Sequence, residues 1–402
     1  MGRLRMRVAI CGAGIGGIVA ALCLPRHTAI DVAVYEGASR LSEVGAGIGL
    51  WPRPREILER LGLEEEPMER SCVEAEEEED TGFISRKSDQ VEGYHFSTIQ
   101  AKGRQLRVHR AGFQTVLVAR VEAQSRQYGT VATCDVLIAH GLKSRVRVGM
   151  MERLVSEATR QIEAEDAWVD ALAAAAQPVW SGFVAYRVLS SADKLRERAP
   201  EHSLLSNPML YFGKNANGAC LKMIFFTFDP AQEHDMHSGV EDEANARQQC
   251  VDGALRWAVH TTKPPGLPTF VHGRTALMGD AAHSMTPFQG SGAGQAVEDA
   301  WLLAHLLGDP SVTPDTIPDA LRVYDAARRP VAQGVQERSR VNGHLLALNY
   351  RGIDFNALQG EAQRAALIEL GEQMQRDWEW AWLTSTDGMV HDSLEALRKA
   401  VL

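Results

Sequence analysis

The sequence predicts an α/β fold: a parallel β-α-β core, a second sheet that is mostly antiparallel, and a helical C-terminal region. Three observations carry that reading. A short buried strand, a glycine-rich turn and a helix follow one another over residues 5–24. Apolar and polar residues alternate over residues 82–109, and strand-like pieces return at 182–188 and 221–228. From residue 316 onward the sequence is mostly helix-forming. With 402 residues, 45% of them apolar, the chain can build one large or several ordinary domains with real cores. The net charge of -10 gives nothing global to attract nucleic acid or an anionic membrane surface. Its six cysteines form no C-x-x-C pair, so neither a zinc cage nor a disulfide scaffold is written here, and a reducing, cytoplasmic setting is expected.

Each element follows in order. The uncharged run from Val8 to Pro25 has the length of a membrane span, but Gly12, Gly14, Gly16 and Gly17 cluster near its start and suit a tight turn instead. No other stretch is long and apolar enough to cross a bilayer. Pro25 stops the first helix, and a second strand over 31–35 ends on Glu36. A second glycine-rich turn at 45–49 leads into an amphipathic helix over 53–63. The acidic run at Glu74 and 76–80 reads as a solvated loop or helix end, because adjacent carboxylates repel and diverge. A helix is expected over 111–119, a short strand over 135–138, and helical sequence over 148–176. A strand over 275–278 then leads into GDAAH, a loop rich in Pro and Gly, and a long helix over 294–307.

Gly12, Gly14 and Gly17 match G-x-G-x-x-G between a strand and a helix. The first glycine permits the turn, the second lets backbone approach a pyrophosphate, and the third lets helix pack on strand. Glu36, 22 residues after Gly14, stands at a strand end where a carboxylate accepts hydrogen bonds from adenosine ribose hydroxyls. Together these predict dinucleotide binding without separating NAD from FAD. The distal segment separates them: Asp280 after a strand can bond a flavin's ribityl chain. The helix opened by Gly292–Gly294 can stabilise negative charge on a reduced flavin. His283 reads as a structural donor, Phe288 either as core or as a wall beside the flavin, and His234 and His237 as no metal site; no metal is expected anywhere. Trp378, Trp380 and Trp382 read as packing against the body or a partner subunit.

The segments GAGIGG with Glu36, GAGIGLWPRP, VHRAGF, DVLIAHGLKSRVR, GFVAYR, GDAAHSMTPFQGSGAGQAVEDA and YDAARRP together resemble the group A flavin-dependent aromatic monooxygenases, in particular fungal salicylate hydroxylase-like enzymes. The resemblance implies an FAD-binding, Rossmann-like domain of the PHBH type over 1–175 and 265–345, interrupted by substrate-domain strands within 80–110. It implies a substrate domain over 176–264 and a helical tail over 346–402. Glu36 then holds the ribose, Gly47 lies along the cofactor, Arg110 contacts FAD, Asp280 is the flavin-domain aspartate, and Gly292 and Ala293 lie under the isoalloxazine ring. Arg187 matches an arginine that orients a phenolate in some relatives and is the catalytic candidate. The implied reaction is NAD(P)H- and O2-dependent hydroxylation of a small phenolic or aromatic acid through a flavin C4a-hydroperoxide, with a homodimer as one assembly open to the chain.

Three departures qualify the resemblance. The family's A-D-G motif reads Ala139-His140-Gly141; only 21 residues separate Phe113 from Asp135, where relatives carry further strands; and the substrate domain is shortened around Lys214–Lys222 and before Arg256. Either residues 114–134 replace the missing strands, or the shortened sheets leave exposed edges that cost stability. A catalytically impaired flavin-binding protein is the alternative that these departures keep open.

Overall fold

The structure, a computed structural model of the chain, describes residues 6–27, 30–38, 47–63, 81–103, 105–124, 134–160, 166–187, 192–205, 207–220, 224–228 and 255–401. The acidic run at 74–80, the turn residues Gly45 and Ala46, and His234 and His237 lie outside them. At the centre is a five-stranded sheet whose middle strand is Met6–Cys11. It pairs in parallel with Ile30–Tyr35 on one side and Val136–His140 on the other, so Val8 faces both Val32 and Val136. Thr275–Met278 adds in parallel to Val136–His140, and Val271–His272 closes that edge antiparallel. Val8, Ile10, Ile138 and Leu277 are buried because both faces of this sheet are covered, as a parallel sheet requires.

The parallel arrangement fixes where a ligand can sit. Cys11, Tyr35, His140 and Met278 are the C-terminal residues of four parallel strands. The glycine turn, Glu36, Gly141 and Gly279-Asp280 therefore emerge side by side on one edge. Open α/β sheets bind ligands outside the carboxyl ends of their strands. The uncharged run from Val8 is thus strand, turn and buried helix Ile15–Cys23, and among the described residues no helix is long and apolar enough to cross a membrane.

A second sheet of seven strands runs Leu255–Thr261, Val179–Arg187, Ile224–Phe228, Ala216–Cys220, Met209–Gly213, Thr81–Lys87, Tyr94–Gln100. Every pairing is antiparallel except Thr81–Lys87 with Met209–Gly213. Two expectations change here. The shortened stretch around Lys214 still contains a strand, Ala216–Cys220, joined to its neighbour by a tight turn with Asn215 at φ 54°. Leu106–His109, expected to continue the alternating run, instead pairs with Gly47–Leu50 in a separate two-stranded sheet.

The helix expected over 148–176 is two helices, Arg145–Thr159 and Asp166–Ala175, the first capped by Ser144, whose hydroxyl accepts from the Arg147 amide. Residues 110–124 are a helix, so the segment beyond Phe113 supplies no strand as far as residue 124, and residues 125–133 lie outside the description. One apolar core fills the space around the parallel sheet. A second lies between the antiparallel sheet and the C-terminal helices, which begin with the long helix Ile317–Leu346. Trp378 belongs to this second core. It stacks on Phe83 at 5.6 Å and packs beside Trp51, so the tryptophan-rich stretch closes on the chain's own body.

Candidate cofactor site

The glycine turn is held by its neighbours at each peptide. The Gly12 amide donates to the Tyr35 carbonyl at 2.7 Å, and Gly12 itself takes φ 115°, where a Cβ would lie 2.6 Å from the His140 carbonyl oxygen. A Cβ on Gly17 would lie 2.0 Å from the Gly12 oxygen, so strand and helix touch there through backbone alone. Glu36 accepts from the Ala13 amide at 2.7 Å and from the Ala38 amide at 2.8 Å. The Ala38 bond is the largest cause that pulls its carboxyl below the usual carboxylate range, with Ala13 adding to it against partial burial. Gln114, on the helix Arg110–Gln124, donates to the Ala13 carbonyl at 2.7 Å. Each Glu36 oxygen keeps a free lone pair and the side chain is exposed, which is what ribose hydroxyls need.

Gly14 also has a packing reason for its missing side chain. A Cβ there would lie 2.4 Å from Cε1 of His140, so its missing side chain makes room for that ring. The same ring lies against Gly16 and Gly279, where a Cβ would be 2.9 and 2.6 Å from its Cδ2. His140 thus joins the N-terminal turn to a segment more than 260 residues away. The two remote stretches, Gly12–Gly17 and Gly279–Asp280, converge.

Asp280 begins the short helix Asp280–His283 after Gly279, whose φ of 54° suits glycine. Arg147, fully buried, fixes this turn: its guanidinium donates to the carbonyls of Leu142 at 2.7 Å and of Ala281 at 3.3 Å. Burial pulls its pKa down to about 10, so it remains charged at neutral pH. The helix Gly292–Gly308 starts from Ser291 with no side-chain cap and no acid in its first turn; the same is true of Ile15–Cys23 starting from Gly14. Their first amides and positive dipole ends are left for an anionic group. Gly292 has open space where its Cβ would be, with Met285 3.9 Å away; Gly294 instead makes room for Pro54 at 2.9 Å, a packing reason. Ala293 is half-buried beside the first core.

The remaining predicted residues fall around this edge or beyond it. Gly47 pairs with His109, which brings it beside exposed Arg110 at the start of its helix. Arg187 ends the strand Val179–Arg187 in the other sheet, in register with Ile224 and Leu255; its side chain is outside the described ones. Phe288 is buried among Phe183 and Phe226, at 4.7 and 4.8 Å between ring centroids, so it is core.

Sequence reasoning missed what holds the flavin-domain loop. Glu298, Asp299 and Arg328 are all fully buried: Arg328 reaches Asp299 at 2.8 Å and Glu298 at 3.0 Å, and Arg53 reaches Glu298 at 2.9 Å. The other Asp299 oxygen accepts from the Gly279 amide at 2.9 Å and meets His283 Nε2 at 2.6 Å. Burial works to raise the Asp299 pKa, yet His283, Arg328 and these bonds outweigh it and hold the carboxylate far below its usual range. His283 is therefore a structural partner of Asp299, as expected. The available sequence signal was two adjacent acids inside an otherwise apolar helix, with YDAARRP following.

A glycine turn with an exposed strand-end glutamate, meeting a second strand-end aspartate and an uncapped helix, makes a two-ended candidate dinucleotide site of the flavoprotein kind. The FAD binding domain family matches residues 250–339. Salicylate hydroxylase from Pseudomonas putida is 31% identical over 432 aligned positions covering 94% of this chain and 93% of its own. The chain belongs to the salicylate hydroxylase-like FAD-dependent monooxygenases. The aligned length exceeds the 402 residues here, so that relative carries segments this chain lacks. A 6-methylsalicylate 1-monooxygenase of Aspergillus terreus is 28% identical over 94% of this chain and 89% of its own. A solved salicylate hydroxylase substrate complex superposes with a TM-score of 0.76 at 26% identity, covering 97% of this chain and 98% of that one.

Proposed function

We propose that this flavin monooxygenase hydroxylates a small phenolic acid of the salicylate type, using NAD(P)H as reductant and O2 as oxidant. The observation that carries the reading is the convergence of Gly12–Gly17 and Gly279–Asp280 on one ring, which brings the two ends of an FAD site to a single sheet edge. The salicylate hydroxylases among its relatives support the substrate class.

Bound FAD supplies the electron transfer and the activation of oxygen. In this reading Glu36 accepts the ribose hydroxyls, and the first amides of Ile15–Cys23 receive the pyrophosphate. Asp280 accepts from the ribityl chain, Arg110 and Gly47 flank the cofactor, and Gly292 and Ala293 present amides to the flavin ring. The amides at that helix start stabilise negative charge without reorganising. Arg187 orients the substrate's phenolate, and the Phe183, Phe226 and Phe288 cluster keeps water from that side.

The test is a flavin spectrum of the purified protein, then NADH and NADPH consumption with a panel of phenols and analysis of the products. Yellow protein with substrate-accelerated nucleotide oxidation and a hydroxylated product is expected, and Arg187→Ala should lower kcat/KM by at least about tenfold. Flavin binding without nucleotide oxidation for any phenol would make the chain a flavin-binding protein without turnover and end the proposal.

A further inference from the structure

We propose that Gln289 is a positioning residue for the flavin chemistry: the C-terminal helices hold its side chain and, through it, aim the opening amides of the helix Gly292–Gly308. The inference rests on the FAD reading above and gives the C-terminal helices a part in the reaction.

Gln289 ends the short turn Pro287–Gln289, between the Asp280 helix and the start of Gly292–Gly308, and it is fully buried. Each of its polar groups is bonded outside that turn. Its amide donates to the Ser339 hydroxyl at 3.2 Å, and its carbonyl accepts from the indoles of Trp51 and Trp378 at 3.0 Å. The side chain reaches further along the C-terminal helices: Nε2 donates to the Asp377 carbonyl at 3.3 Å and Oε1 accepts from the Trp380 indole at 3.2 Å. A buried carboxamide has no water to replace a lost partner, so these two bonds fix its orientation. Trp380 is pinned in turn. Its ring carries the guanidinium groups of Arg53 and Arg338 at 5.6 and 5.3 Å, and Arg53 also binds Glu298 of the helix Gly292–Gly308.

The link from Gln289 to the helix is short. Only Gly290 and Ser291 separate it from Gly292, and the Ser291 hydroxyl donates back to the Gln289 carbonyl at 2.9 Å. Gly290 takes φ 60°, a conformation that glycine adopts without strain but does not enforce, so the hold has to come from outside the turn. A shift of Gln289 is therefore passed to the first amides of Gly292–Gly308. Those amides stabilise negative charge on a reduced flavin only while they are aimed in advance, to within about 0.5 Å. Loosening the carboxamide leaves oxidised flavin nearly as well held and reduced flavin less so, and the potential of the bound cofactor falls.

The experiment is anaerobic photoreduction of the FAD holoenzyme beside a reference dye of known potential, for wild type and for Gln289→Met, which keeps the length of the side chain and removes both of its bonds. The variant should favour reduced over oxidised flavin about tenfold less, a midpoint about 30 mV lower for the two-electron couple. Trp380→Phe keeps a ring for Arg53 and Arg338 and removes one bond; it should move the midpoint the same way by about threefold, or about 15 mV. Arg376→Met, exposed on the same helix as Asp377, should leave it in place. A Gln289→Met protein that melts earlier but keeps the wild-type midpoint has lost only structural support, and that result overturns the inference. Should Gln289→Met fail to fold, Trp380→Phe decides, and an unmoved midpoint overturns it. A wild type that takes up no FAD overturns the FAD reading itself, which separates the two failures.

Discussion

Around His140, the missing side chains of Gly14, Gly16 and Gly279 make room for a ring that makes no side-chain hydrogen bond among the described residues. About the helix Gly292–Gly308, five ionisable side chains, Arg53, His283, Glu298, Asp299 and Arg328, are tied to one another with almost no exposure.

 The first region is shaped by missing side chains and the second by charge paired with charge. A ligand edge needs both: room for remote backbone turns to meet, and a rigid frame that keeps the loop between them from drifting.

The largest way to break the contrast is to remove a charge from the frame. Arg328→Met should leave Glu298 and Asp299 buried with too little counter-charge, destabilising the fold by roughly 3–5 kcal/mol. Thermal melting checks it, and a shift no larger than that of an exposed change such as Arg376→Met would mean the network is not what holds this helix. Acid should act on the same frame. Because the Asp299 carboxyl is held below its unfolded range, its contribution is complete above roughly pH 4 and fades as pH falls toward the folded value. Urea midpoints measured on the acid side should therefore fall for wild type; Asp299→Asn should start lower and vary less with pH.

A smaller effect is expected in the cradle. Gly14→Ala puts a methyl group 2.4 Å from Cε1 of His140, an overpacking cost of about 1–3 kcal/mol. In a His140→Ala background the ring is gone and the cost should largely vanish. The double-mutant cycle reads that coupling directly. An equal cost in both backgrounds would show that Gly14 is required for the turn and not for the ring.

How much of this was legible follows from which forces leave a mark on neighbouring residues. The strand Thr275–Met278 carried its own period and bounds, and the G-x-G-x-x-G turn with Glu36 carried its own spacing, because each is set by local backbone demands. The cradle was not legible. His140 could be seen as an oddity in its motif, but that Gly16 and Gly279 open onto the same ring depends on strand order, which pairs Val136–His140 with both Met6–Cys11 and Thr275–Met278. The ion network was hidden for the same reason: Arg53 and Glu298 are 245 positions apart, and a charged residue reads as exposed until its partner is known. The partner of Leu106–His109 was not legible either, since alternation reports a half-buried strand without naming its neighbour.

The smallest expected effect lies where the C-terminal helices grip the loop between these two regions. The carbonyl of buried Gln289 accepts from the indoles of Trp51 and Trp378, each at 3.0 Å, and from the Ser291 hydroxyl at 2.9 Å. Trp378→Phe removes one of three donors and keeps an aromatic ring against Phe83, so the oxygen is not left bare and the loss should be about 1 kcal/mol. Removing Trp51 as well, as Phe, takes a second donor from the same oxygen, and the two losses together should exceed their sum. Strict additivity in thermal melts would mean that this carbonyl is not the point at which the tail holds the loop, and the tail would then act by apolar contact alone.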